Sequence, residues 1–194
     1  MSRPSYVPTD IEAGAIDYEW DEDYSDDLLA PREVGHEFFS INPYASALVT
    51  AAAGEWIVYR LAKLTTKADV DGMLGAIDVV YAAATNTGAA VPPADRQWLD
   101  DVHEDVNAPL ANLNIVLQRA VEMCAAGDTL IGLTAYGAAQ IARRVCGEER
   151  FTPWLARTIA TLTERYPARR DERGVIVVER PERPIDRAIL VTTA

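Results

Sequence analysis

The chain reads as an all-α fold: about six antiparallel helices in a bundle or a short HEAT-like stack, with an extended acidic N-terminal arm and a short β-prone C-terminal tail. Three observations predict this. Apolar residues recur every three to four positions through the middle of the chain. Helix caps and breakers divide that stretch at short intervals. The two ends lack the pattern, which sets boundaries at residues 1–40 for the arm, 41–167 for the helical domain and 168–194 for the tail.

Asn42-Pro43 opens the first helix, because Asn caps and proline loses nothing at a first-turn position. Residues 44–64 are then apolar on most faces, with Glu55, Arg60 and Lys63 among the few charges, so this helix belongs at the centre of a core. Thr66 caps a second helix, with Asp69 three residues on in a box-like arrangement. Its stripe is Val70, Met73, Leu74, Ile77, Val80, Tyr81 and Ala84, and Asn86-Thr87-Gly88 ends it.

After Pro92-Pro93 a third helix carries Trp98, Leu99, Val102 and Val106 on one face. Asn107 and Pro109 are expected to close it and to open a fourth, with Leu110, Leu113, Leu117, Ala120, Val121 and Cys124 in line up to Gly127. A fifth is expected over 129–146, ending at Gly147. Its interior glycines, Gly132 and Gly137, cost about 1 kcal/mol each relative to alanine, which points to close packing. Thr152-Pro153 repeats the cap-plus-proline start for a sixth helix, with Trp154, Leu155, Ile159, Leu162 and Tyr166. Short connections make neighbours antiparallel. In the tail, two apolar runs at 175–178 and 185–191 flank a proline-rich link; a tail draped over the body is expected rather than a detached partner-binding segment, with the two runs able to pair as a docked hairpin.

The net charge of −12 is concentrated at the front. Residues 1–40 hold two Arg against eleven acids, residues 41–142 five bases against eleven acids, and residues 143–194 eleven Arg against eight acids. Phosphate contacts dominate nucleic-acid affinity, so so acidic a chain is a poor direct binder of nucleic acid. No signal peptide and no apolar run of membrane-spanning length is seen, and two cysteines suit a reducing cytoplasm.

Nine carboxylates and no base lie within residues 10–27, with Tyr18, Trp20 and Tyr24 among them. Aromatic rings contribute most when something covers them, so the segment reads as a surface for a basic protein. The alternation Asp17-Tyr18-Glu19-Trp20-Asp21 puts rings on one side of an extended chain and carboxylates on the other. Glu22, Asp23, Asp26 and Asp27 complete that acidic surface. A disordered solubilising tail is one alternative, and back-folding onto the Arg-rich stretch 143–187 is another, which would also account for those arginines without a phosphate ligand.

Asp100, Asp101, Glu104 and Asp105 form a second acidic cluster, with carboxylates three and four apart on one helix face. Over six residues the string resembles the aspartate-rich metal motif of helical terpene synthases. There is no second such motif and the chain is too short for that fold, so a solvated acidic face extending the arm's surface is expected. His36 and His103 stand far apart, Cys124 and Cys146 fall on apolar faces, and no Gly-rich phosphate loop follows a strand. No catalytic, cofactor or metal residue is therefore assigned.

These features lead to the expectation of a non-enzymatic binding protein of immunity or antitoxin type, which would neutralise a basic toxin or effector by occluding its active surface. A helical adaptor or secretion chaperone with an apolar groove is the second reading. A small metal-dependent enzyme using Asp100, Asp101, Glu104 and Asp105 is the third.

Overall fold

A computed structural model describes residues 3–12, 14–20, 36–85 and 104–191. It is an all-α structure of five helices with one two-stranded ribbon among the described residues. The helices are α1 (Pro43–Leu61), α2 (Lys67–Thr85), α3 (Glu104–Ala126), α4 (Gly132–Cys146) and α5 (Glu148–Arg165). Short 3₁₀ turns stand at His36–Phe39, Thr129–Ile131 and Arg187–Leu190.

α1 is the axis of the molecule. Its start is capped as expected, Asn42 Oδ1 accepting the Tyr44 amide at 3.0 Å. Every residue of the helix except Arg60 is buried, and it touches each of the other four helices. That arrangement is a bundle wrapped around one helix, not a linear stack. The run Ala51-Ala52-Ala53-Gly54 permits it: a Cβ on Gly54 would lie 3.1 Å from Ile77 of α2 and 3.5 Å from Leu113 of α3. The segments flanking the bundle are zipped together. The Asn42 amide donates to the Tyr166 carbonyl at 2.8 Å and the Ala168 amide to the Ser40 carbonyl at 2.9 Å.

α2 begins as expected, with the Asp69 amide donating to Thr66 Oγ1 at 3.1 Å and the Thr66 hydroxyl returning to Asp69 Oδ2 at 2.6 Å. The division into six helices is corrected at residues 104–126. Asn107 and Pro109 do not break the chain; α3 runs straight through them. Pro109 sits in the second turn, where the cost is one missing N–H and one carbonyl, that of Asp105, left without its helical donor. Residues 86–103, including Trp98, Leu99, Val102 and His103, lie outside the described residues.

α4 starts at Gly132 and not at Thr129, because Asp128 caps a separate 3₁₀ turn through the Leu130 amide. Gly132 is thus a junction residue: a Cβ there would lie 2.9 Å from the Phe38 carbonyl oxygen. α5 starts at Glu148, directly after Gly147 with its φ of +84°, so Thr152-Pro153 is inside the helix rather than at its cap. The expected hairpin is also corrected. Ile176–Val177 pairs with Arg169–Arg170 around a turn at Gly174 (φ +79°). Ile189 and Leu190 of the last 3₁₀ turn, with Ile185 just before it, are instead buried in the core. Among the described residues no helix is long and apolar enough to cross a membrane.

The N-terminal segment belongs to the same core. Tyr6, Val7, Ile11 and Trp20 are buried in the cluster that includes α1 and α5, and Tyr6 stacks on Trp154 with ring centroids 5.5 Å apart. Trp56, Phe151 and Trp154 pack ring against ring beneath it.

Candidate functional site

Two places gather polar chemistry. The first is the junction of residues 17–20 with the start of α3. Asp17 and Glu19 face solvent while Tyr18 is half-buried and Trp20 is 9% exposed, so the alternation of acid and ring is realised with the rings inward. The proline at 109 explains where Tyr18 goes. Its hydroxyl donates at 2.6 Å to the Asp105 carbonyl, the acceptor that Pro109 leaves without a helical N–H. Burial beside the Asp105 carboxylate keeps that phenol protonated, its pKa well above the ordinary tyrosine value. The Trp20 amide donates to Asp105 Oδ1 at 2.5 Å. Asp105 therefore receives both residues, one on its backbone and one on its side chain.

Cations of the body hold the rest of the segment. Arg60 Nη2 lies 2.5 Å from Asp17 Oδ1, and its Nε donates to the Val145 carbonyl at 3.0 Å, tying the ends of α1 and α4 to the arm. Lys63 and Arg3 lie 2.9 and 3.3 Å from Glu12, whose carboxyl they hold below the usual range. Arg144 donates twice to the Glu19 carbonyl, and Arg150 lies 3.4 Å from Asp10. Part of the Arg-rich stretch thus meets the arm, and part is paired elsewhere, as Arg169 is with Glu179.

Of the candidate partner-binding residues singled out from the sequence, Asp17, Tyr18, Glu19, Trp20, Glu104 and Asp105 are brought to this one junction, Glu104 being exposed in the first turn of α3. Asp21, Glu22, Asp23, Tyr24, Asp26, Asp27, Asp100 and Asp101 lie outside the described residues. Among the described residues no three His, Cys, Asp or Glu side chains are grouped as a metal site. Cys124 and Cys146 are buried free thiols, and desolvation pushes the first up to about 12, which makes it unreactive.

The second place was not legible as a site. Glu55, in the middle of α1, is fully buried, and its two oxygens are both engaged. The Tyr81 hydroxyl donates to Oε2 at 2.8 Å, and Arg187 Nη2 pairs with Oε1. The guanidinium of Arg187 lies 3.9 Å from the Tyr81 ring centre, with its Nη1 3.6 Å from Asp78 Oδ1. The Tyr6 and Tyr81 hydroxyls are 2.9 Å apart. Desolvation raises Glu55 to about 7 despite Arg187, and burial raises Asp78 too, against the opposing pull of the same guanidinium. The buried hydroxyl of Tyr59 has no hydrogen-bond partner among the described residues. The one available signal is a lone carboxylate inside a helix that is apolar on most faces.

Comparison with known protein families, with curated proteins and with solved structures finds no match.

Proposed function

We propose that this chain is a non-enzymatic binding protein that captures a basic protein, most simply as an immunity or antitoxin-type partner that covers a toxin's positively charged active surface. The observation that supports it best is the junction at Asp105. Trp20 directly precedes the acidic run 21–27, and Glu104 directly follows the run that holds Asp100 and Asp101. The hydrogen bonds of Tyr18 and Trp20 to Asp105 hold those two flanking residues together. Two acidic stretches far apart in sequence are thus each flanked by a residue of this one junction. The carboxylates of Asp10, Glu12 and Asp17 are matched by body cations, so the excess that gives the net charge of −12 falls mainly outside that docked segment.

The mechanism is occlusion. Concentrated negative potential steers the partner in and pairs with its Lys and Arg side chains, which speeds association and weakens with salt. An apolar groove, which an adaptor would need, has little support: the exposed large apolar side chains among the described residues are Leu130, Val175 and Val191.

Truncating the arm would remove core residues along with charge, so the test uses isosteric neutralisation. The tagged full chain is co-expressed with the product of its neighbouring gene and compared with a variant carrying D21N, E22Q, D23N, D26N, D27N, D100N and D101N. The expected result is a complex whose affinity falls at least about tenfold between low and moderate salt, and by a similar factor in the variant. A partner that is acidic, a complex indifferent to both changes, or no complex at all would overturn the reading.

A further inference from the structure

We propose that Glu55, Asp78 and Tyr81 form a guanidinium-binding site, occupied in cis by the chain's own Arg187, that accepts an arginine side chain of a basic partner in exchange. The site has the three parts that distinguish guanidinium from ammonium. Glu55 Oε1 meets one terminal nitrogen, Asp78 stands 3.6 Å from the other, and the face of Tyr81 lies 3.9 Å below the planar carbon centre. A flat, forked cation uses all three together, whereas a compact ammonium uses one carboxylate well and the rest poorly.

The receptor is built without Arg187. Glu55 is fixed in α1 and Asp78 and Tyr81 in α2, two helices that pack on each other directly. The Tyr81 hydroxyl is oriented by Glu55 Oε2 on one side and by Tyr6 on the other. The occupant comes from elsewhere, a 3₁₀ turn of four residues near the C-terminus. That turn is anchored by Ile185, Ile189 and Leu190, each buried, so the Arg187 side chain can leave while its backbone stays docked. Its side chain is 39% exposed against 1% for Glu55, which opens the site to solvent along the arginine itself. An empty site would strand a buried carboxylate, and an occupant supplied in cis prevents that until a competing guanidinium arrives. This inference stands on a different observation from the acidic junction and needs no partner for its test.

The first measurement is chemical rescue. R187A should melt below the native chain. Methylguanidinium at about five times its dissociation constant should raise its melting temperature by about 2–4 °C, saturably, while methylammonium does not. The double variant E55Q/R187A should show no rescue. Equal effects of the two cations, rescue of the double variant, or no rescue at all would each overturn the proposal. Should R187A fail to fold, the native chain decides. The Arg187 Nε–H resonance, assigned by its loss in R187K, should move toward the solvated arginine position on titration with Nα-acetyl-arginine amide and not with the lysine analogue. A resonance that stays in place would overturn it.

Discussion

Glu55 shows how much one residue can decide. A carboxylate raised to about 7 binds a proton in the folded chain at pH values where the unfolded chain, near 4.5, has lost it. Stability therefore increases as pH falls from about 7 to about 4.5, and the charged form above pH 7 is the less stable one. The gap between 4.5 and about 7 corresponds to roughly 3 kcal/mol. Replacing Glu55 with Gln should flatten the urea midpoint across pH 5–8, leaving the variant closer to the native chain in acid than in base. A native midpoint that rises steadily from pH 5 to 8 would contradict the assignment. Glu55→Ala should be far worse, by about 3–5 kcal/mol, because it leaves Arg187 and Tyr81 without their shared acceptor. Glycines give an equally local contrast. Gly132→Ala drives a methyl against the Phe38 carbonyl and should cost about 1–3 kcal/mol. Gly75→Ala, on an exposed face of α2 with nothing near its Cβ, should gain about 0.5–1 kcal/mol. Thermal melts of the pair should move in opposite directions.

At the scale of elements, the sequence is legible where local rules and packing agree. Asn42-Pro43 caps α1, Thr66 and Asp69 close on each other at α2, and Gly127 and Gly147 end helices with positive φ. It misleads where a proline looks like punctuation. Pro109 and Pro153 each lie in the second turn, where the helix can lose one hydrogen bond if something else meets the freed carbonyl. At Pro109 that something is Tyr18, a residue 87 positions distant in sequence, and no local pattern encodes such a partner. For the same reason the Glu55–Arg187 pair, 132 positions apart, was invisible until the chain was folded. The Pro109–Tyr18 dependence makes a double-mutant prediction. Tyr18→Phe should cost about 1–2 kcal/mol in the native chain, where it removes the hydroxyl that donates to the Asp105 carbonyl. In a Pro109→Ala background the restored amide serves that carbonyl, and the same change should cost at least about 1 kcal/mol less. Additive effects in urea unfolding would show that the hydroxyl does not stand in for the helical donor.

At the scale of the whole molecule, negative charge and apolar anchoring divide the work of the N-terminal segment. Its ion pairs are largely solvent-facing: the Asp17 side chain is 73% exposed, that of Asp10 72%. Such pairs contribute little to stability and are screened by salt. Tyr6, Val7, Ile11 and Trp20 are buried, and each such side chain stabilises by about 1.5–3 kcal/mol. The fold should thus be nearly indifferent to ionic strength, in contrast to the salt dependence expected of the proposed partner capture. Neutralising Asp10, Glu12 and Asp17 together should change the urea midpoint little. Tyr6→Ala or Trp20→Ala should each lower it markedly, a loss of about 3–5 kcal/mol in stability if the site cannot collapse. Removing residues 1–20 should take away most of a typical domain's margin of about 5–15 kcal/mol, and leave Trp154 and Tyr81 uncovered. The deciding measurement is unfolding of the full chain, the neutralised variant and the truncated chain at low and high salt. If the neutralised variant unfolds like the truncated one, and salt mimics both, then charge rather than burial holds the segment, and screening alone would release it.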